Sequence, residues 1–151
     1  MGGEAGVSYE LTDRWQTDAS LASSWGRNTD DGKPLAQIPP LEARLGLSPE
    51  SGNWSSTGLV RLVSSQHRVA MNDGNIVGKD FDSSAGFAVV SASAAYRVNK
   101  DFKVSAGVDN LLERDYSEHL NLAGNSSFGY SANTSVNEPG RTFWGKINVT
   151  F

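Results

Sequence analysis

Residues 142–151 constrain the fold most, because apolar side chains recur there with a period of two. Phe143, Ile147 and Phe151 share one face, and Thr142 and Lys146 lie on the other. This period indicates a β-strand that separates two different environments. Ten residues that rise about 3.3 Å each and tilt by about 45° also span the apolar core of an outer membrane. A last strand that ends on an aromatic residue is typical of barrels in that membrane.

Six further segments alternate in the same way, with turns or loops between them. The predicted strands are residues 4–12, 15–26, 41–48, 54–66, 90–98, 102–109 and 142–151. The connections alternate in length, with short turns at 12–14, 48–53 and 99–101 and long loops at 27–40, 67–83 and 112–141. An up-and-down meander places alternate connections at opposite ends, so all long loops fall at one rim, as in outer-membrane barrels. We therefore predict an all-β fold, an antiparallel up-and-down meander of about seven strands that is a segment of a transmembrane β-barrel, in one domain over residues 1–151.

Composition excludes several classes of function. The net charge is −4 and no basic stripe is present, which argues against nucleic acid as a partner. There is no cysteine for disulfides or thiolate ligands, and no apolar run is long enough for a membrane helix. The start at Met1 lacks the charged and apolar regions of a signal peptide. No catalytic triad, phosphate loop or carboxylate pair is evident, so we predict no enzyme and no cofactor.

Three loop residues are candidate metal ligands. His67 and Met71 lie four residues apart in the second long loop, and both types of side chain bind soft metals. His119 lies in the third long loop near Asp115 and Glu118, which together could hold a divalent ion. The alternative is that all three residues are ordinary members of polar loops.

Strand residues divide into two further groups. Charged side chains on the polar face of the strands are expected to line a polar interior, with or without ion pairs: Glu10, Asp18, Glu42, Arg44, Arg61, Arg97 and Asp109. Aromatic side chains near strand ends are expected at the membrane interfaces or in ordinary packing: Trp15, Trp25, Trp54 and Tyr96.

Three motifs resemble one family. The segment GKPLAQIPP at 32–40 resembles the G-x-P-L-x-x-I-P-P segment of TonB-dependent outer-membrane receptors. The segment GVDNLLERDY at 107–116 is similar to their G-V-x-N-L-F-x-x-x-Y motif, with Leu112 in place of phenylalanine. The segment EPGRTF at 138–143 resembles their closing E-P-G-R-x-[FY], although Val149 replaces the usual penultimate aromatic residue. Residues 119–125 and 137–141 most resemble the copper-receptor branch.

The resemblance implies the C-terminal part of a receptor barrel of about 22 strands, without the plug domain and the TonB box. It implies a wall segment of a bacterial outer-membrane receptor for uptake of a metal, such as copper, or of a metal chelate. Its partners would be outer-membrane lipid, the plug domain and the remaining barrel strands. Such a segment would not transport anything alone.

Two alternatives remain open at this stage. The chain could be a small free-standing β-barrel that binds a ligand on its polar face. It could also be a structural or engineered fragment that associates with itself. Seven strands cut from a barrel leave two unpaired edges, which favour self-association.

Overall fold

The structure, a computed structural model, describes residues 1–74, 80, 82–121, 127, 129, 131 and 134–151. Seven antiparallel strands form one sheet in chain order, so the predicted meander is confirmed. Their bounds are β1 Gly2–Thr12, β2 Trp15–Ser24, β3 Glu42–Ser51, β4 Trp54–Val63, β5 Phe87–Arg97, β6 Phe102–Asp109 and β7 Thr142–Val149. Residues 122–125, which contribute to the resemblance to copper receptors, lie outside the described residues.

The strand register gives the sheet two chemically different faces. One face, here called the outer face, carries apolar side chains in cross-strand rows such as Leu21, Ala43 and Leu62. The other, the inner face, carries all seven charged residues that the sequence placed on a polar side: Glu10, Asp18, Glu42, Arg44, Arg61, Arg97 and Asp109. The register shifts only once, between Glu10 and Thr12 at the end of the β1–β2 ladder. Because strand residues alternate between faces, the otherwise constant register keeps this segregation across the sheet.

Several strand bounds differ from the prediction. The turn expected from residue 48 begins only at Gly52, because β3 stays extended through Pro49 to Ser51. Pro49 pairs with Trp15 of β2, whereas the ladder toward β4 has no pair at Pro49, where the proline cannot donate a hydrogen bond. β5 begins at Phe87 instead of Val90. β2 and β4 end two and three residues earlier than expected, at Ser24 and Val63.

Aromatic residues gather on the outer face near the short turns. The rings of Trp54 and Tyr96 face each other across β4 and β5 with centroids 4.8 Å apart. Trp15 opens β2 at the same end of the sheet. Trp25 lies at the opposite end, where the guanidinium of Arg68 covers its ring at 4.8 Å from the centroid. No helix in the described part of the chain is both long and apolar enough to cross a membrane.

The buried core is small and lies on the inner face. Val63, Phe87 and Val89 are buried there, and Tyr116 of the third long loop packs against them. A single sheet layer has no second layer to cover it, so burial occurs only where a loop folds over the strands. Within the described residues, β1 and β7 each pair with one neighbouring strand, so the sheet has two open edges.

The three long loops connect strands at residues 25–41, 64–86 and 110–141, and their described parts meet at one end of the sheet. The backbone N–H of Gln37 in the first loop donates to Asp80 in the second at 3.0 Å. Ser84 of the second loop lies 3.0 Å from His119 of the third. The predicted segregation of long loops from short turns is therefore confirmed.

Candidate functional site

An ion-pair cluster fixes the third long loop to the inner face. Arg61 of β4 donates from Nη2 to Glu42 Oε2 at 2.6 Å and to Glu118 Oε2 at 3.2 Å. Its Nη1 makes a further hydrogen bond to Glu118. The guanidinium lies 5.4 Å from the centroid of the Phe87 ring, and the three charged side chains are each about one quarter exposed or less. One arginine thus joins β3, β4 and the loop.

Asn110 shapes the start of the same loop. It is 3% exposed and adopts φ of 51°, a left-handed conformation that asparagine tolerates better than most residues. Its side-chain amide donates to the carbonyls of Arg114 at 2.8 Å and Pro139 at 3.3 Å, and its oxygen accepts from the Arg114 N–H at 2.8 Å. Asn110 therefore joins the two ends of the loop, which explains a role for the asparagine of the G-V-x-N-L motif.

Asp80 joins the first and second loops. Its side chain is 3% exposed, and its carboxylate accepts hydrogen bonds from the backbone N–H groups of Gln37 at 3.0 Å and Ala70 at 2.9 Å. Its backbone makes two more hydrogen bonds, to Asn72 at 2.7 Å and Asp73 at 2.9 Å. The amino-acid sequence alone does not mark Asp80 as a structural residue, because an aspartate in a polar loop carries no local pattern.

Two further side chains attach the second loop to the first. Gln66 donates to the Ile38 carbonyl at 3.1 Å, and Arg68 donates to the Gly26 carbonyl at 3.1 Å. A side chain at Gly26 would collide with Leu35, since an added Cβ would lie 2.7 Å from Leu35 Cδ1. Leu35 and Ile38 are the two aliphatic residues of the G-x-P-L-x-x-I-P-P segment, so this motif packs the first loop against the strand ends.

His119 lies at the junction of the second and third loops. Its side chain is 2% exposed, its Nδ1 lies 3.0 Å from Ser84 Oγ, and its Nε2 lies 3.9 Å from Asp80 Oδ1. Within the described residues, Nε2 has no hydrogen-bond partner. Burial lowers the pKa of His119, because charging the ring there costs solvation, and the Asp80 carboxylate opposes this effect.

The environment of His119 predicts that the packing of the third loop against the second weakens at low pH. In the folded loop the pKa of His119 lies below its ordinary value of 6.5, so the unfolded loop binds a proton more readily. The contribution of His119 to the stability of the folded loop is therefore fully present above pH 6.5 and decreases as the pH falls below 6.5. We expect limited proteolysis of the third loop to be faster at pH 5.5 than at pH 7.5. A His119→Gln variant should lose most of this difference. The matched control is His67→Gln, since His67 is the other histidine of the chain and is exposed. An equal pH response in the His119→Gln variant would contradict the assignment.

The three predicted metal ligands do not form one visible site. His67 is exposed, Met71 is 55% exposed, and His119 is buried between two loops. Among the described residues, no hydrogen bond or ion pair joins His67 or Met71 to His119. The part of the chain that the structure describes contains no group of three or more histidine, aspartate or glutamate side chains placed to hold a metal ion. Metal binding at these residues stays a prediction.

Comparison with known proteins decides the family. The family model for TonB dependent receptor-like β-barrels matches residues 1–111, which is well over half of the chain. The chain belongs to the TonB-dependent receptor family. Among curated proteins, the ferric enterobactin receptor of Pseudomonas aeruginosa is 29% identical over 76 residues, which is 50% of this chain and 10% of that protein.

Solved receptors share the fold of this receptor segment. The copper transporter OprC is 59% identical to it with a TM-score of 0.97, over 99% of this chain and 23% of that one. This similarity confirms the expected resemblance to a copper receptor. The ferric enterobactin receptor PfeA from Pseudomonas aeruginosa, in a mutant form, matches with 22% identity and a TM-score of 0.73 over 99% of this chain and 22% of that one. The ferric-catecholate receptor Fiu from Escherichia coli K12 matches with 21% identity and a TM-score of 0.67, over 99% of this chain and 20% of that one. The last two show the fold alone.

The chain spans a tenth to a quarter of the length of these relatives. Its seven strands therefore correspond to part of a receptor barrel, with the loop cluster at one rim. In that setting, Asp80 and Gln66 join the second loop to the first, and Ser84 of the second loop contacts His119 of the third. Arg61 fixes the third loop to the inner face through Glu118. We call this assembly the loop layer.

Proposed function

We propose that the chain forms barrel wall and external loops of a bacterial outer-membrane receptor that takes up copper. One observation carries the proposal: 59% identity to the copper transporter OprC over 99% of the chain. The plug domain, the TonB box and the remaining strands belong to other parts of the receptor. The segment alone transports nothing, and its role is structural support of transport and not catalysis.

The two faces of the sheet support this role. The outer face presents exposed apolar side chains such as Val7 at 63%, Leu45 at 50% and Ile147 at 63% to the lipid. The inner face presents charged and hydroxyl side chains to the interior of the barrel. Without the neighbouring strands, the open edges of β1 and β7 lead the isolated segment to associate with itself or to require detergent.

The exposed pair in the second loop is our candidate for a first, transient contact with the cargo. His67 offers an imidazole nitrogen and Met71 offers a thioether sulfur. Both groups are ligands that bind copper. His119 is the third candidate, although its ring is engaged in packing the loop layer. Replacing each residue in turn, in the intact receptor, separates these contributions.

Metal accumulation tests the proposal. The complete receptor that contains this segment is expressed in a Gram-negative host that lacks its own copper receptor, with and without TonB. We expect cellular copper, measured by mass spectrometry, to rise only in the host with TonB. A receptor with its TonB box deleted is the matched control and should give the copper level of the empty host.

Iron chelates provide the competing outcome. The 29% match to a ferric enterobactin receptor favours ferric catecholate as the second candidate cargo. If the receptor restores growth on ferric enterobactin and leaves cellular copper unchanged, the copper proposal is wrong and the iron alternative is supported.

A further inference from the structure

A tryptophan and an arginine meet on the outer face at the rim that carries the long loops. The N–H of Trp25 donates to the Met1 carbonyl at 2.7 Å, and the Met1 nitrogen donates back at 2.8 Å, so the β1–β2 ladder extends one pair beyond the strands. Strand residues alternate between faces, so Trp25 shares the outer face with Leu21. The guanidinium of Arg68, from the second loop, lies 4.8 Å from the centroid of its ring. We call Trp25 and Arg68 the tryptophan–arginine pair.

The guanidinium of Arg68 keeps donors that the described residues do not use. A guanidinium carries several N–H donors in a planar fork. One of them donates from Nη2 to the Gly26 carbonyl at 3.1 Å. No carboxylate among the described residues forms an ion pair with Arg68. Arg61 differs, because Glu42 and Glu118 both bind it. A charge beside an apolar bilayer is costly without a counter-ion, so an anionic ligand would stabilise the tryptophan–arginine pair.

Arg27 brings a second cation to the same corner of the sheet. It is exposed and directly follows Gly26, whose carbonyl binds Arg68. Within the described residues, it forms no ion pair. Lys33, the other cation of the first loop, is compensated by Asp31 at 3.5 Å. Two arginines without a carboxylate partner are therefore close to an outer-face tryptophan.

The position in a barrel wall selects the class of ligand. Long loops of outer-membrane barrels are external, so the tryptophan–arginine pair lies where the external leaflet has its headgroups. Tryptophan is enriched at this level, because its ring is apolar and its N–H is polar. Phosphate is a common anionic group of lipid headgroups, and the planar fork of arginine binds phosphate with two parallel hydrogen bonds.

We infer that the tryptophan–arginine pair binds the phosphate group of a lipid in the external leaflet. Arg68 binds the phosphate, Arg27 adds a second positive charge, and the Trp25 ring contacts the apolar part of the lipid. Arg68 also holds the first loop through Gly26, so the bound lipid stabilises the loop layer at the membrane surface. The inference rests on the proposal that this chain is wall of a receptor barrel, and it is independent of the cargo.

Native mass spectrometry of the intact receptor with added lipid tests the inference. The probe is lipid A with its phosphates, and the matched ligand is dephosphorylated lipid A. We expect Arg68→Gln to weaken binding of the phosphorylated lipid about ten-fold, the effect of one hydrogen bond to a charged group, and to leave the other lipid unaffected. Lys100→Gln is the control, because Lys100 is 90% exposed at the opposite rim. Equal binding by the parent and Arg68→Gln, or equal binding of both lipids by the parent, would overturn the inference.

Free phosphate is the competing source of the same chemistry. An excess of inorganic phosphate should not displace the phosphorylated lipid, because it lacks the apolar part that contacts Trp25. Displacement by inorganic phosphate would show a site for a free anion and would contradict a lipid site.

Arginine modification in the unaltered receptor provides a second measurement that needs no variant. Phenylglyoxal reacts with accessible guanidinium groups, and peptide mass spectrometry locates the modified residues. We expect phosphorylated lipid A to slow the modification of Arg68 several-fold relative to dephosphorylated lipid A. Arg14 is the control, since it is exposed in the first short turn and should react equally with both lipids. Equal reactivity of Arg68 in both lipids would contradict the inference. Copper accumulation is measured separately, so an unprotected Arg68 in a copper-competent receptor disproves only the lipid site.

Discussion

Replacing Arg61 with alanine should release the third long loop from the barrel wall. The change leaves Glu42 and Glu118 close together without the cation that both bind. Removing one partner from a fully buried ion pair costs about 3–5 kcal/mol, and partial exposure here reduces the expected cost to about 2 kcal/mol. This corresponds to a roughly thirty-fold loss of local protection.

Hydrogen exchange in the intact receptor measures this release. The informative amides are those of Asn121, bonded to the Glu118 carbonyl at 3.1 Å, and Glu138, bonded to the Tyr116 carbonyl at 2.9 Å. Arg44→Ala is the matched control, since Arg44 also binds Glu42 but forms no ion pair with the described residues of the loop. Unchanged protection in Arg61→Ala, or equal loss in both variants, would show that Arg61 does not hold the loop.

Gly86→Ala should destabilise the receptor, because the added methyl group has no space. A Cβ at Gly86 would lie 2.8 Å from both the Ser65 nitrogen and the Val63 oxygen, and backbone atoms cannot move aside as a flexible side chain can. The expected cost is about 1–3 kcal/mol, through separation of the end of β4 from the start of β5.

The urea midpoint of the refolded receptor in detergent checks this cost. Gly58→Ala is the control, since Gly58 lies in β4 and a Cβ there would meet no atom within 4 Å. Gly58→Ala should be neutral or slightly stabilising, because alanine restricts the unfolded chain. Equal midpoints for the two variants would contradict the packing at Gly86.

The strands could be predicted because their two environments impose a period of two. The predicted start of β5 was wrong, because the strand is apolar on both faces there and the period of two cannot be seen. In the first residues of β5, Phe87 and Val89 face inward and are nevertheless apolar, because Tyr116 covers them. A run that is apolar on both faces does not show alternation, so the sequence pattern predicts that β5 starts only at Val90.

The site was harder to predict, because its contacts join distant parts of the chain. Arg61 and Glu118 are 57 residues apart, and Gln37 and Asp80 are 43 apart. Neither pair has a spacing that marks it in the sequence. The importance of Asn110 could be predicted, because Asn110 belongs to a recognised motif. Its role could not, because that role depends on a left-handed backbone conformation that only the structure shows.

The central claim is that the sheet is barrel wall, with lipid on one side and the lumen on the other. Leu45 and Arg44 are adjacent in β3 and lie at nearly the same depth on opposite faces. Each is replaced by cysteine in the intact receptor, labelled with a fluorophore and reconstituted with brominated lipid, which quenches on contact. We expect strong quenching at position 45 and little at position 44. Equal quenching at both positions, or stronger quenching at position 44, would contradict the account.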